Sequence, residues 1–375
     1  MKIAILGAGM VGRTMAIDLA KKHEVTSFDV SSQALEVLSQ REPAIKTIKT
    51  DLQDYAAYNS LLSGFDYVVT AVPGFMGYKT LEAVIKAGKD VADISFFPED
   101  ALALDALAKQ NNVTAIVDCG VAPGMSNYVI GYHNEKMKIS SFECMVGGLP
   151  VNRVKPFEYK APFSPIDVIE EYTRPARLME NGHIVTKPAL SEPELVDFPQ
   201  VGTLESFNTD GLRSILFTMG HIPNMKERTL RYPGHIGLIK AMMKGGFFDT
   251  RKINVNGVEI SPLEFSSAIL LDQWKSAPDE QEFTLMRIIV SGSENGKHKT
   301  YTYDLFDTYD AATRSSSMSR TTGYTCTGSL HLIMDKLFTE KGVFPPELVG
   351  KHENCFHFIM KYLKERNVAY HVTKE

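Results

Sequence analysis

The strongest constraint on this chain is an alternation that occupies about its first 120 residues. Short runs rich in β-branched residues, KIAILG, EVTSFD, AIKTIKTD, DYVVTAV, DVADIS and TAIVDCG, are separated by longer stretches of helical period such as VGRTMAIDLAKK and PEDALALDALAKQNN. In the last, Leu102, Leu104, Leu107 and Ala108 form an apolar stripe behind Glu99 and Asp100, acids that suit a helix N-terminus. Strands joined by helical crossovers lie parallel, and a parallel sheet is covered on both faces, which accounts for how few polar positions the runs contain. The expectation is an α/β fold with a Rossmann-type doubly wound sheet.

Gly7-Ala8-Gly9-Met10-Val11-Gly12 falls at the first strand-to-helix turn and reads GxGxxG. Gly7 allows the tight turn, Gly9 lets backbone approach a pyrophosphate, and Gly12 lets helix and strand pack closely. Asp29 ends the second strand 22 residues after Gly7, where a carboxylate can accept from both hydroxyls of a ribose. A 2′-phosphate would be repelled there, and Val30-Ser31-Ser32 brings no cation, so NAD is favoured over NADP. Asp51 either reaches the adenine edge or is a solvated loop acid. Ala71, Val72 and Pro73 follow the fourth strand without a large side chain, leaving room for the nicotinamide end of the cofactor.

A chain of 375 residues exceeds the size at which one core stops growing. At Asp118-Cys119-Gly120-Val121-Ala122-Pro123 it leaves the alternating pattern, with Gly120 near the cofactor. Beyond it, SSFECMVGGLP, RKINVNGVEI and a long hairpin turning at Asn295-Gly296 are interspersed with helices, which indicates an α+β domain with a mixed or antiparallel sheet. The expected division is 1–122, nucleotide-binding; 123–335, catalytic and dimer-forming; and 336–375, a segment whose helix ENCFHFIMKYLKERN returns to the first domain.

Net charge of −5 without a basic tract argues against nucleic acid and anionic membranes as partners. No apolar run is long enough to span a bilayer, and the N-terminus lacks the pattern of a secretory signal. The four cysteines are scattered without metal or disulfide spacing, so no metal and a cytoplasmic location are expected. An exposed second-domain sheet would suit a homodimer.

Several phrases in order resemble the saccharopine dehydrogenase-like family, and within it the lysine 6-dehydrogenase branch. They are GAGMVGR at 7–13, DCGVAPGMSN at 118–127, VGGLPV at 146–151, PFEYKAPFSP at 156–165, EEYTRPA at 170–176, LESFNTDG at 204–211, TLRYPGH at 229–235 and GVFPPE at 342–347. Saccharopine reductases resemble this chain but carry acids where Ala122 and Ser126 stand, and an arginine after the residue matching Asn208. Asp210 and Arg213 also depart from the lysine enzyme. The resemblance implies NAD-dependent oxidation of an amino acid at a carbon bearing nitrogen, with the ε-amine of L-lysine as the leading substrate. The alternatives are a saccharopine- or carboxynorspermidine-type reductase joining an amine to an aldehyde, and a non-catalytic NAD-binding redox sensor.

Such chemistry needs a base for the ammonium and a cation for the α-carboxylate. Asp118, Tyr159, Lys160 and His235 are the candidates for proton transfer. Asp118 either binds amine or water or caps its turn; Lys160 acts if desolvated; His235 would relay protons near neutral pH. Arg213 and Arg231 offer the fork that matches a carboxylate, with Asn208 beside them in the substrate set. Cys119 reads as a packing residue, and Trp274 carries no pattern.

Overall fold

The computed structural model describes residues 1–161, 165–277 and 280–375, of which 165–167 by backbone alone. The end of PFEYKAPFSP, at 162–164, therefore lies outside the described residues. The chain forms two compact units, Met1–Ile139 with Gly292–Lys299 and Met318–Tyr370, and Ser140–Ser291 with Thr300–Ser317 and His371–Glu375.

The first unit holds the six expected strands: β1 (Lys2–Leu6), β2 (Glu24–Asp29), β3 (Lys46–Lys49), β4 (Tyr67–Thr70), β5 (Asp90–Asp93) and β6 (Thr114–Ile116). All pair in parallel, in the order β6-β5-β4-β1-β2-β3, and the order reverses direction between β1 and β4. A seventh strand, Gly342–Phe344, extends the sheet beyond β6, with Val343 opposite Ala115. Phe28, Val68, Leu81, Val91, Val113 and Val343 share one buried apolar cluster on the sheet.

The expected boundary after residue 122 is not where this unit stops. Helix Met125–Asn134 starts directly after Gly124, whose φ of +141° and lack of a Cβ, which would meet the Gly120 carbonyl at 1.9 Å, make glycine obligatory there. Asn127 then ties two of the quoted phrases together. Its Oδ1 accepts from the Gly124 N–H, and its Nδ2 donates to Glu347 at 2.8 Å. Gly131 faces helix Pro346–Gly350 so closely that a Cβ would lie 2.2 Å from the Glu347 carbonyl oxygen. Gly131→Ala is expected to cost about 1–3 kcal/mol by overpacking; an unchanged urea midpoint would show that the helices are not in that contact.

Helix Ser317–Met334, expected in the second domain, likewise falls within the first unit apart from its first residue. Its Thr327 donates to Asp18, as do Tyr362 and Arg366 near the end of the chain, at 2.9–3.0 Å. Burial, the largest single influence, acts to raise the Asp18 carboxyl, but the Arg366 charge and hydrogen bond, with Lys21 and the Tyr362 hydroxyl, together hold the group below its usual range. These polar ties explain why Met318–Tyr370 groups with the start of the chain.

The second unit carries most of a mixed nine-stranded sheet whose main path runs Glu194–Phe198, Gly202–Thr209, Met225–Arg231, Lys138–Pro150, Glu282–Glu294, Lys297–Thr308 and Tyr370–Lys374, with Ala176–Glu180 and His183–Lys187 off that path. One pair within it is parallel, with Met225 opposite Phe142. The long hairpin turns at Asn295 and Gly296, both with positive φ, as its Asn-Gly signal predicts. RKINVNGVEI instead makes a separate small hairpin, Ile253–Val255 with Val258–Ile260. Beneath the main sheet lies an apolar cluster that includes Tyr159, Tyr172, Phe207, Leu230, Ile236 and Trp274. Among the described residues no helix is long and apolar enough to cross a membrane.

Candidate functional site

At the end of β1 the chain turns through Gly7 at φ +111°, where a Cβ would meet the Ala71 carbonyl oxygen at 2.3 Å. A Cβ on Gly12 would lie 2.1 Å from the Gly7 carbonyl oxygen, whereas Gly9 has nothing within 4 Å of its missing Cβ. Two of the glycines are thus demanded by packing, and the third opens onto free space. Helix Met10–Ala20 begins there without a side-chain cap, so the first N–H groups beside Met10 and Val11 remain for an anion.

Asp29 closes β2 against this loop. Its Oδ2 accepts the Ala8 N–H and its Oδ1 the Ser31 N–H, both at 2.7 Å. A carboxylate has about four acceptor sites, so this grip orients the group and still leaves lone pairs for ribose hydroxyls. Donors for a pyrophosphate and an acceptor for a ribose fit a dinucleotide. Asp51 is exposed and accepts the Gln53 N–H at 2.9 Å, which caps its own turn. Val72 is buried and donates its N–H to Ser95 at 3.3 Å, Pro73 precedes helix Gly74–Lys86, and the Gly120 N–H donates to the Pro123 carbonyl at 3.1 Å.

The carboxyl ends of β4, β5 and β6 gather a polar group in which one member escaped sequence reading. Asp93, fully buried, lies in register with Thr70. Its Oδ1 accepts from the Thr70 hydroxyl and the Ser95 N–H, while Oδ2 has no hydrogen-bond partner among the described residues. Burial pushes this carboxyl up to about 7; hydrogen bonds from Thr70 and from the Ser95 side chain and N–H oppose the rise, and the Asp118 carboxylate adds to it. Asp118 itself is buried, with φ +52°. Cys119 donates both its N–H and its thiol to the Asp93 carbonyl, consistent with a packing role.

In the second unit, three predicted residues meet two that were not singled out. Arg231, 2% exposed, donates from Nε to the Tyr172 hydroxyl at 2.9 Å, from Nη1 to the Leu230 carbonyl, and from Nη2 to Glu171 at 3.0 Å and to Tyr159 at 3.4 Å. Its guanidinium lies 4.4 Å from the Tyr159 ring centre. His235 donates Nδ1–H to the Phe157 carbonyl, so the neutral ring accepts at Nε2 from the Tyr172 hydroxyl, both at 2.9 Å. Trp274 is fully buried and stands edge-on to Tyr159 and Tyr172. The phrases EEYTRPA and TLRYPGH supplied both sides of this cage, but spacing alone could not show that they touch.

This arrangement corrects the reading of His235 as a proton relay near neutral pH. Burial first, and the Arg231 charge second, push its imidazole down to about 3, so it stays neutral at physiological pH. Arg231 already carries the Glu171 carboxylate. The other candidates make different contacts. Lys160 donates its ammonium to the carbonyls of Gln273 and Lys275. Asn208 is buried and donates to Ser191 and Glu192. Arg213 is buried at φ +48°, and Asp210 holds Arg177 through two contacts of 2.9 Å.

The glycine turn, the acid closing β2 and the strand reversal beside β1 define a dinucleotide-binding oxidoreductase unit of Rossmann type. Residues 3–116 match the model of the saccharopine dehydrogenase NADP binding domain, and 117–368 that of the saccharopine dehydrogenase C-terminal domain. The chain belongs to the saccharopine dehydrogenase family and is an oxidoreductase acting on CH–NH groups.

Among similar proteins, carboxyaminopropylagmatine dehydrogenase of Synechocystis sp. is 24% identical, with 92% of each chain covered. Saccharopine dehydrogenase [NADP(+), L-glutamate-forming] of Schizosaccharomyces pombe is 28% identical over 66% of this chain and 58% of its own length. In structure, apo saccharopine dehydrogenase (L-Glu forming) from Saccharomyces cerevisiae superposes with a TM-score of 0.81 at 19% identity, covering 100% of this chain and 99% of that one. Homospermidine synthase from Legionella pneumophila, in complex with NAD, gives 0.69 at 13% identity, with 100% and 91% covered.

Proposed function

We propose that the protein is an NAD-dependent dehydrogenase of a secondary amine derived from an amino acid, working in either direction between the amine and its imine. The observation that carries the reading is the acidic pair Asp93 and Asp118 at the carboxyl ends of β5 and β6, where ligands of open α/β sheets bind. Negative charge there suits a cationic amine and supplies a group able to take its proton. NAD, bound through the helix N-terminus at Gly9 and through Asp29, supplies a hydride acceptor. The Asp29 carboxylate, with no cation in Val30-Ser31-Ser32, favours NAD over NADP.

Two observations move weight from free lysine toward a secondary amine. The relative that spans nearly the whole chain is named for a secondary amine, carboxyaminopropylagmatine. Ser126, whose difference from saccharopine reductases spoke for a smaller substrate, is 1% exposed and donates its hydroxyl to Asn127. A position turned into the protein is a weak guide to substrate size.

The test incubates purified protein with NAD and a panel of secondary amines, with lysine and other free amino acids alongside, and follows NADH absorbance. Turnover of a secondary amine at least tenfold above lysine is expected. Lysine as the best substrate would restore the deaminase reading, and turnover of neither would favour a redox sensor.

A further inference from the structure

We propose that Thr322 is a further cofactor-binding residue, whose hydroxyl hydrogen-bonds the nicotinamide half of the dinucleotide. The assignment deepens the cofactor part of the functional reading and rests on it. It is independent of which amine is oxidised and of the choice between NAD and NADP, because the nicotinamide half is common to both.

Three contacts set helix Ser317–Met334 alongside helix Met10–Ala20, running the same way. A Cβ on Gly323 would lie 3.0 Å from Met15 Cγ and 3.6 Å from Val11 Cγ1, Thr327 donates to Asp18 at 3.0 Å, and the His331 and His23 rings stand 5.6 Å apart. Each contact further along one helix is further along the other. Thr322 is therefore level with the opening turn of helix Met10–Ala20, where uncapped N–H groups remain for a pyrophosphate. On its other side, the Thr322 methyl lies 3.2 Å from where a Gly120 Cβ would be. The side chain thus stands between the glycine loop after β1 and the turn after β6. With the adenosine ribose on Asp29 after β2, and strands ordered β6-β5-β4-β1-β2-β3, the rest of the dinucleotide extends from the glycine loop toward β4 and β6. Thr322 is on that side.

Two observations single out its hydroxyl. From Ser317 to Leu330 every residue is buried except Thr322, so this stretch of helix opens to solvent at one side chain. Neighbouring hydroxyls bond oxygen: Thr325 and Ser329 donate to the carbonyls of Thr321 and Thr325 at 2.7 and 2.8 Å, and Thr327 to Asp18. The Thr322 hydroxyl instead donates to Met318 Sδ at 3.6 Å, its only hydrogen bond among the described residues. A thioether is a weak acceptor, and a carboxamide or ribose oxygen is a stronger one. Packing of the methyl on Gly120 holds the rotamer, and the hydroxyl exchanges sulfur for oxygen when the cofactor binds.

Calorimetric titration with NAD, NADP and ADP tests the assignment without any turnover. Thr322→Val keeps the branched shape and removes the hydroxyl. Its affinity for whichever dinucleotide the wild type binds more tightly should fall by about five- to tenfold, with the ratio of NADP to NAD affinity unchanged. ADP lacks the nicotinamide half and should bind wild type and variant alike, which also shows that the variant is folded. Thr322→Ser restores the donor and should recover most of the lost affinity. Unchanged dinucleotide affinity in Thr322→Val overturns the proposal. So does an equal loss for ADP, which would put the effect outside the nicotinamide half. A wild type that binds neither dinucleotide removes the cofactor reading and the proposal with it, whereas the expected affinities without turnover of any amine support Thr322 and leave only the substrate reading to fall.

Discussion

Replacing Arg231 by alanine should lower the unfolding free energy by about 3–5 kcal/mol, the range for breaking a buried charge pair by removing one partner. The loss has two sources. Glu171 loses its cation, but its side chain is 23% exposed and can turn to water, which moderates that part. The phenols of Tyr159 and Tyr172 cannot escape in this way; both are buried, and each loses a donor. Urea denaturation at constant slope measures the effect, and a change below about 1 kcal/mol would mean that the guanidinium is not held as described. A second signature accompanies it. With the Arg231 charge gone, the His235 imidazole should titrate above its present value of about 3 but short of the ordinary histidine value, since burial is the larger of the two causes. Proton NMR of the ring resonances follows this directly.

Asp29→Ala should weaken NAD binding by about 100-fold or more. Hydrogen bonds to a charged group contribute about 1.5–3 kcal/mol each, two ribose hydroxyls are available, and about 1.4 kcal/mol is a factor of ten. The carboxylate also fixes the Ala8 and Ser31 N–H groups, so alanine loosens the loop as well as removing the ribose acceptor. Asp29→Asn keeps one acceptor without the charge and should lose less. The ratio of NADP to NAD affinity should rise in both variants, because repulsion of a 2′-phosphate is gone. Unchanged NAD affinity by calorimetry would rule out the ribose contact, whatever the fate of the loop.

The nucleotide sheet was legible because a parallel strand buried on both faces leaves a continuous apolar run, and because glycines at a strand-to-helix turn have few other uses. The seventh strand escaped because Gly342–Phe344 is three residues long and its partner lies far back in the chain. Residue type was legible at the second-unit site, but environment was not. Arg231 and His235 were rightly drawn together as unusual polar residues in one phrase. Only packing shows that the imidazole is dry, and that the guanidinium already faces Glu171. Asp93 illustrates the converse. It sat in plain view in DVADIS, indistinguishable from any acid closing a strand, until its burial and its unpartnered oxygen became visible.

The strand Gly342–Phe344 also sets an order of events during synthesis. The Thr114 hydroxyl waits for the Glu340 carbonyl, 226 residues downstream. At roughly 5–20 residues per second, the free edge of β6 stays bare for on the order of 10–45 s after it leaves the ribosome. Helix Met125–Asn134 lacks its covering helix, Pro346–Gly350, for a similar time. An unpaired edge beside an uncovered apolar helix is a template for wrong partners, so the nascent chain, more than the finished enzyme, is where this architecture is vulnerable to aggregation.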